Sequence, residues 1–87
     1  MYTLCLPKID NTISKKLLYN IFDKYNFGII NKIDLITIKQ SKRAFIHYTS
    51  WNNTEKNEQI KNYLDDGLDI KIIYQFPWFW KCSKSKS

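Results

Sequence analysis

Apolar positions along the chain recur at two different periods, and the switches between them divide it into short segments. Tyr2 to Leu6 alternates polar and apolar residues and stops at Pro7, which predicts a short strand. Asn11 to Ser14 offers several helix caps. Leu17, Leu18, Ile21, Phe22 and Tyr25 then recur at helical spacing, and Gly28 follows where such a helix would end. Ile30 to Ile38 is rich in β-branched residues and predicts a second strand, with Ile33 and Leu35 two apart. A polar turn, Lys39-Gln40-Ser41-Lys42, leads to a third strand over Ala44 to Tyr48 that runs on toward Ser50. Asn52-Asn53-Thr54 caps a helix from Glu55 to Leu64, in which Ile60 and Leu64 form the inward stripe. Glu55 and Glu58 near its start suit the helix dipole, and Asp65-Asp66-Gly67 closes it. Leu68 to Tyr74 predicts a fourth strand, interrupted by Pro77. Residues 1–82 are expected to form the domain and residues 83–87 a disordered basic tail.

The order β-α-β-β-α-β is that of a ferredoxin-like split βαβ sandwich. The expected fold class is therefore α+β: a four-stranded antiparallel sheet with two helices on one face. A chain of 87 residues buries a modest share of its surface, but 44% hydrophobic residues, thirteen isoleucines among them, supply a core without disulfide or metal staples. Cys5 and Cys82 lie near opposite ends, with no cysteine or histidine clustered beside them, so the spacing offers neither a metal site nor a secreted disulfide framework. No apolar run approaches the ~20 residues of a membrane span, and the chain begins without a signal-peptide pattern. The expectation is an intracellular protein of the cytoplasm or nucleus, with no cofactor and no membrane or small-molecule partner.

Charge narrows the class of partner. A formal net charge of +6 points to an anionic partner, nucleic acid or an acidic protein surface, although surplus lysine also serves solubility. Thirteen of the fourteen basic residues are lysine and Arg43 is the only arginine. Arginine's planar fork suits bidentate reading of bases and phosphates, whereas lysine is a point charge, so little sequence specificity is expected from the basic residues. No glycine-rich phosphate loop is present, and Asp65, Asp66 and Asp69 cluster at a turn; no catalytic constellation emerges, and the expectation is a protein that is not an enzyme.

Alternation in the third strand, with Ala44 and Ile46 inward, turns Arg43, Phe45 and His47 outward. Phe45 suits base stacking, unless the C-terminal segment covers it. His47, without a second ligating residue nearby, reads as a surface polar group at the edge of that face with a minor chance of nucleic-acid contact. Lys39 and Lys42 flank the loop before this strand and suit phosphate contact, as do Lys81, Lys84 and Lys86 further on. Phe76-Pro77-Trp78-Phe79-Trp80 is the least ordinary feature. The segment could fold across the free sheet face, could supply stacking platforms through Trp78 and Trp80, or could dock a protein partner. The density of tryptophan that would otherwise be exposed favours the first. Trp51 is expected to pack at the sheet's end with its N–H paired.

Ser41-Lys42-Arg43-Ala44-Phe45-Ile46-His47-Tyr48 and Leu4-Cys5-Leu6-Pro7-Lys8-Ile9 resemble the two signature strands of the RNA-recognition motif (RRM) family. The likeness extends to Leu18, Ile21, Phe22 and Tyr25 in the first helix and Ile30, Ile33 and Leu35 in the second strand. The Phe-Ile-His-Tyr strand and Pro77-Trp78-Phe79-Trp80-Lys81 are further similar to small RRM-like proteins encoded by large nucleocytoplasmic DNA viruses, which would place the protein in a viral factory or virion. The resemblance implies base stacking from outward positions, here Cys5, Arg43 and Phe45, of which only Phe45 is aromatic. The implied function is weak single-stranded RNA or DNA binding through Phe45, Arg43, Lys42, Lys39, His47, Trp78, Trp80 and Lys81. The alternative is a protein–protein interaction module acting through the C-terminal aromatic segment.

Overall fold

The computed structural model describes residues 2–85. Its elements are β1 (Tyr2–Asp10), α1 (Lys15–Tyr25), β2 (Gly28–Ile38), β3 (Ser41–Trp51), α2 (Glu55–Asp65), β4 (Ile70–Gln75) and β5 (Trp78–Lys84). The class is α+β, with two helices and one open five-stranded sheet of order β2-β3-β1-β5-β4. Every neighbouring pair is antiparallel.

The strand count corrects the expectation of four. Phe76-Pro77, joined by a cis peptide bond, does not end the sheet; it lies between β4 and β5, which pair from Ile70↔Cys82 to Gln75↔Trp78. β5 then joins β1 through Leu4↔Lys84 and Cys5↔Ser83. Ser83 and Lys84 are thus strand residues and not tail, so the expected boundary at residue 82 falls inside a strand; Lys86 and Ser87 of that tail lie outside the described residues. Nor does Pro7 stop β1. The strand passes it through an irregularity between Leu6 and Ile9, which lets the missing N–H fall outside regular pairing.

Local chemistry explains the helix ends. The Ser14 hydroxyl accepts the Leu17 N–H (3.2 Å), and the Thr54 hydroxyl accepts the Asn57 N–H (3.1 Å), each satisfying an otherwise orphaned donor. Helix α1 ends at Asn26, whose φ of 55° puts it in the left-handed region that asparagine tolerates. Gly28 has a different duty from the helix-ending one its position suggests: a Cβ there would collide with the Ser50 carbonyl oxygen, so only glycine lets β2 start this close to β3.

One core holds the layers together. Leu4, Leu6, Ile33, Ala44, Ile46, Tyr48, Ile72, Trp80 and Cys82 point from alternate strand positions into a cluster with Leu18 and Phe22 of α1 and Leu64 of α2. Ile60 packs at its margin. Aromatic rings seal the end where α1 stops and α2 starts. Trp51 stacks on Phe27 (5.2 Å between centroids), meets Tyr48 edge-on (5.4 Å), and lies 4.9 Å from Tyr2. Its indole N–H donates to the Asn57 carbonyl (2.9 Å), while the buried Asn57 amide donates to the Asn26 carbonyl (3.0 Å), tying both helices to the end of β3.

Candidate nucleic-acid interface

Both helices pack on one side of the sheet, so the residues facing the other way are fixed by register. Cys5 is opposite Phe45, Phe45 is opposite Asp34, and Cys5 is opposite Ser83. The helix-free face therefore presents Thr3 and Cys5 from β1, Arg43, Phe45 and His47 from β3, and Lys32, Asp34 and Ile36 from β2. From β5 and β4 come Phe79, Lys81, Lys71 and Ile73. Phe45 is half-buried at the centre and Arg43 is exposed. The C-terminal aromatic segment does not lie over Phe45; it is consumed in building β5.

A chain of hydrogen bonds crosses this face over three strands. His47 Nδ1 lies 3.0 Å from the Thr3 hydroxyl and His47 Nε2 lies 2.8 Å from Asp34 Oδ2. His47 is thus held in the middle of the face and is not an edge residue. The bond from His47 holds the Asp34 carboxyl below the usual carboxylate range, although Asp34 is itself exposed. Hydroxyl, imidazole and carboxylate in that order would suit a nucleophile. Here β1 runs between β3 and β5, paired with both at Leu4 and Cys5, so the threonine lies within a sheet strand and not on a loop. The relay's evident effect is to orient the imidazole and to engage the Asp34 carboxylate in a hydrogen bond.

The expected contacts divide between the two sides. Arg43, Phe45, His47 and Lys81 share the open face. Lys42 does not: it alternates to the opposite side, where its ammonium donates to the Ile13 carbonyl (3.1 Å). Lys39 occupies the β2–β3 turn with φ of 56°. Trp80 is a core residue, 5% exposed and stacked on Tyr74 (4.4 Å between centroids, 17° between planes), and so offers no open platform. Trp78 sits at the end of the β4–β5 hairpin, 64% exposed, next to Phe76 at 84%. Sequence reasoning missed Phe79. It is 42% exposed on the open face, with the Lys71 ammonium 4.8 Å from its ring centroid. Alternation from an inward Trp80 and Cys82 would have found it.

Neither cysteine is poised for reactivity. Burial pushes the Cys5 thiol up, with Arg43 opposing in part, and burial also pushes the Cys82 thiol well above its ordinary value. Among the described residues no group of three histidine, cysteine, aspartate or glutamate side chains could hold a metal, and no helix is long and apolar enough to cross a membrane. No family model, curated protein or solved structure matches the chain.

Proposed function

We propose that the chain is an RRM-like module of the ferredoxin-like type, enlarged by one edge strand, that binds single-stranded RNA or DNA weakly and with little sequence preference. The topology supports the fold part of this reading. β1 and β2 are parallel, joined through α1, with β3 inserted between them; β3 and β5 are parallel, joined through α2 and β4, with β1 between. These are two interlocked split βαβ units. The resemblance to the family's signature strands, and to the small virally encoded members, rests on the same residues as before.

The observation that carries the functional reading is the open face itself. Phe45 and Phe79 project from β3 and β5, amid Arg43, Lys32, Lys71 and Lys81, and the Asp34 carboxylate among them is paired with His47. Aromatic faces accept any base, and cations beside them meet phosphates without reading sequence. Two platforms in place of the family's usual three fit weak binding. A second reading has its own observation: Phe76 and Trp78 at the hairpin end are the most exposed large aromatics, which suits a protein partner. Free thiols at Cys5 and Cys82 fit an intracellular setting for either.

Fluorescence anisotropy with labelled eight-nucleotide RNA and DNA pools separates the two. With three or four phosphates neutralised, log K should fall against log salt with a slope of about −2 to −3. Loss of stacking in Phe45→Ala should weaken binding by roughly 5- to 150-fold. Salt-insensitive binding that survives Phe45→Ala and vanishes in Trp78→Ala would reject the nucleic-acid reading in favour of apolar docking.

A further inference from the structure

At one end of the open face lies a cleft of about 610 Å³, floored by Pro7 and Ile38 and edged by Lys8, Lys39 and Arg43. No carboxylate lines it. The nearest acid in sequence, Asp10, is turned to the Thr12 N–H (2.8 Å) and the Thr12 hydroxyl (2.6 Å). Three cations and no carboxylate among the lining residues of a concave surface suit an anion, and the turn geometry adds a second observation. Lys39 holds a left-handed backbone with φ of 56°, a conformation that glycine or asparagine adopts at far lower cost. A lysine that carries this cost places a charged side chain at the cleft where glycine would leave none. Position supplies the rest. Arg43 and Phe45 are two residues apart on one strand face, roughly 6.8 Å, a span that one nucleotide covers between its phosphate and its base.

We infer that this cleft takes the phosphomonoester at the end of a nucleic-acid strand whose terminal base lies on Phe45. The inference rests on the nucleic-acid reading above and specifies which part of the strand this end of the face selects. An internal phosphodiester carries one charge and has chain on both sides of it. A terminal phosphate carries nearly two charges at neutral pH, which a cluster of three cations meets better, and it lets the strand stop where the β2–β3 turn closes the cleft.

The test is anisotropy binding of one oligonucleotide sequence in three forms: 5′-phosphorylated, 3′-phosphorylated, and hydroxyl at both ends. One phosphorylated form should bind about fivefold or more tightly than the hydroxyl form, the scale of one or two exposed ion pairs, and which form gains identifies the end. Lys39→Gly is the decisive variant, because it removes the charge while relaxing the backbone. It should leave the urea midpoint unchanged or raised and bring the phosphorylated and hydroxyl forms to equal affinity; Lys8→Ala should narrow the gap between them. Equal binding of all three forms overturns this inference and leaves the nucleic-acid reading standing, and so does a gain that persists in Lys39→Gly. Absence of binding to every form overturns both.

Discussion

Replacing Tyr48 by phenylalanine removes one oxygen from the middle of the core. Tyr48 is fully buried, and among the described residues its hydroxyl has no hydrogen-bond partner. Burial pushes this phenol far above its ordinary ionisation range, so the hydroxyl is neutral at any working pH. A buried polar group without a partner costs about 1–3 kcal/mol, the price of losing water. The ring itself contributes through packing, including the edge-on contact with Trp51 at 5.4 Å, and phenylalanine preserves it. Setting the recovered desolvation against a small residual void, Tyr48→Phe should stabilise the fold by about 1 kcal/mol. In a domain of this size that raises Tm by about 4–8 °C. Urea unfolding followed by tryptophan fluorescence reads it as a higher midpoint with an unchanged slope. A destabilisation of about 1 kcal/mol or more would refute the reasoning, since it would mean that the hydroxyl is paired in the folded protein.

The two exposed-looking tryptophans of the C-terminal segment should behave oppositely: Trp80→Ala, at a 5% exposed core position, should cost about 3–5 kcal/mol, while Trp78→Ala should stay within about 0.5 kcal/mol, both by urea unfolding. Acid should destabilise the protein below about pH 4. Asp10, Asp34 and Asp65 are all held below their ordinary values, chiefly by side-chain hydrogen bonds from Thr12, His47 and Lys84 respectively. Their contribution is therefore full above the unfolded carboxylate pKa and is lost as pH falls through the lowered folded values. Asp34→Asn should flatten the fall in urea midpoint between about pH 4 and pH 3; an unchanged fall would show that the His47 bond does not persist in solution.

Period alone placed most of the fold. The helical spacing of Leu18 and Phe22, the caps at Ser14 and Thr54, and the alternation of Ala44, Ile46 and Tyr48 all point the same way as the structure. The fifth strand was hidden by Pro77, which reads as a terminator because it lacks an N–H, yet here sits in the β4–β5 turn, where none is needed. Beyond it, the alternation of Trp80 and Cys82 with Phe79, Lys81 and Ser83 was a legible strand signal, obscured by the Ser/Lys composition. The open face was legible only where one strand suffices. Arg43 and Phe45 follow from β3 alone, and so does the opposite side for Lys42, but the Thr3–His47–Asp34 relay needs three strands in register and the Ile13 carbonyl that Lys42 reaches lies on another segment. The cleft at Lys8, Lys39 and Arg43 likewise joins residues from β1, the turn and β3, and so has no signature in any one segment.

The central claim is that the helix-free face is a working surface for single-stranded nucleic acid. An NMR titration of labelled protein with short single-stranded RNA and DNA pools at low salt tests it most directly. The account predicts shifts at Phe45, Phe79, Arg43 and His47 that reverse on adding salt, with the core signals of Trp80 and Leu64 unmoved. Shifts confined to scattered lysines, with Phe45 and Phe79 silent, would contradict it and turn the search to a protein partner at Phe76 and Trp78.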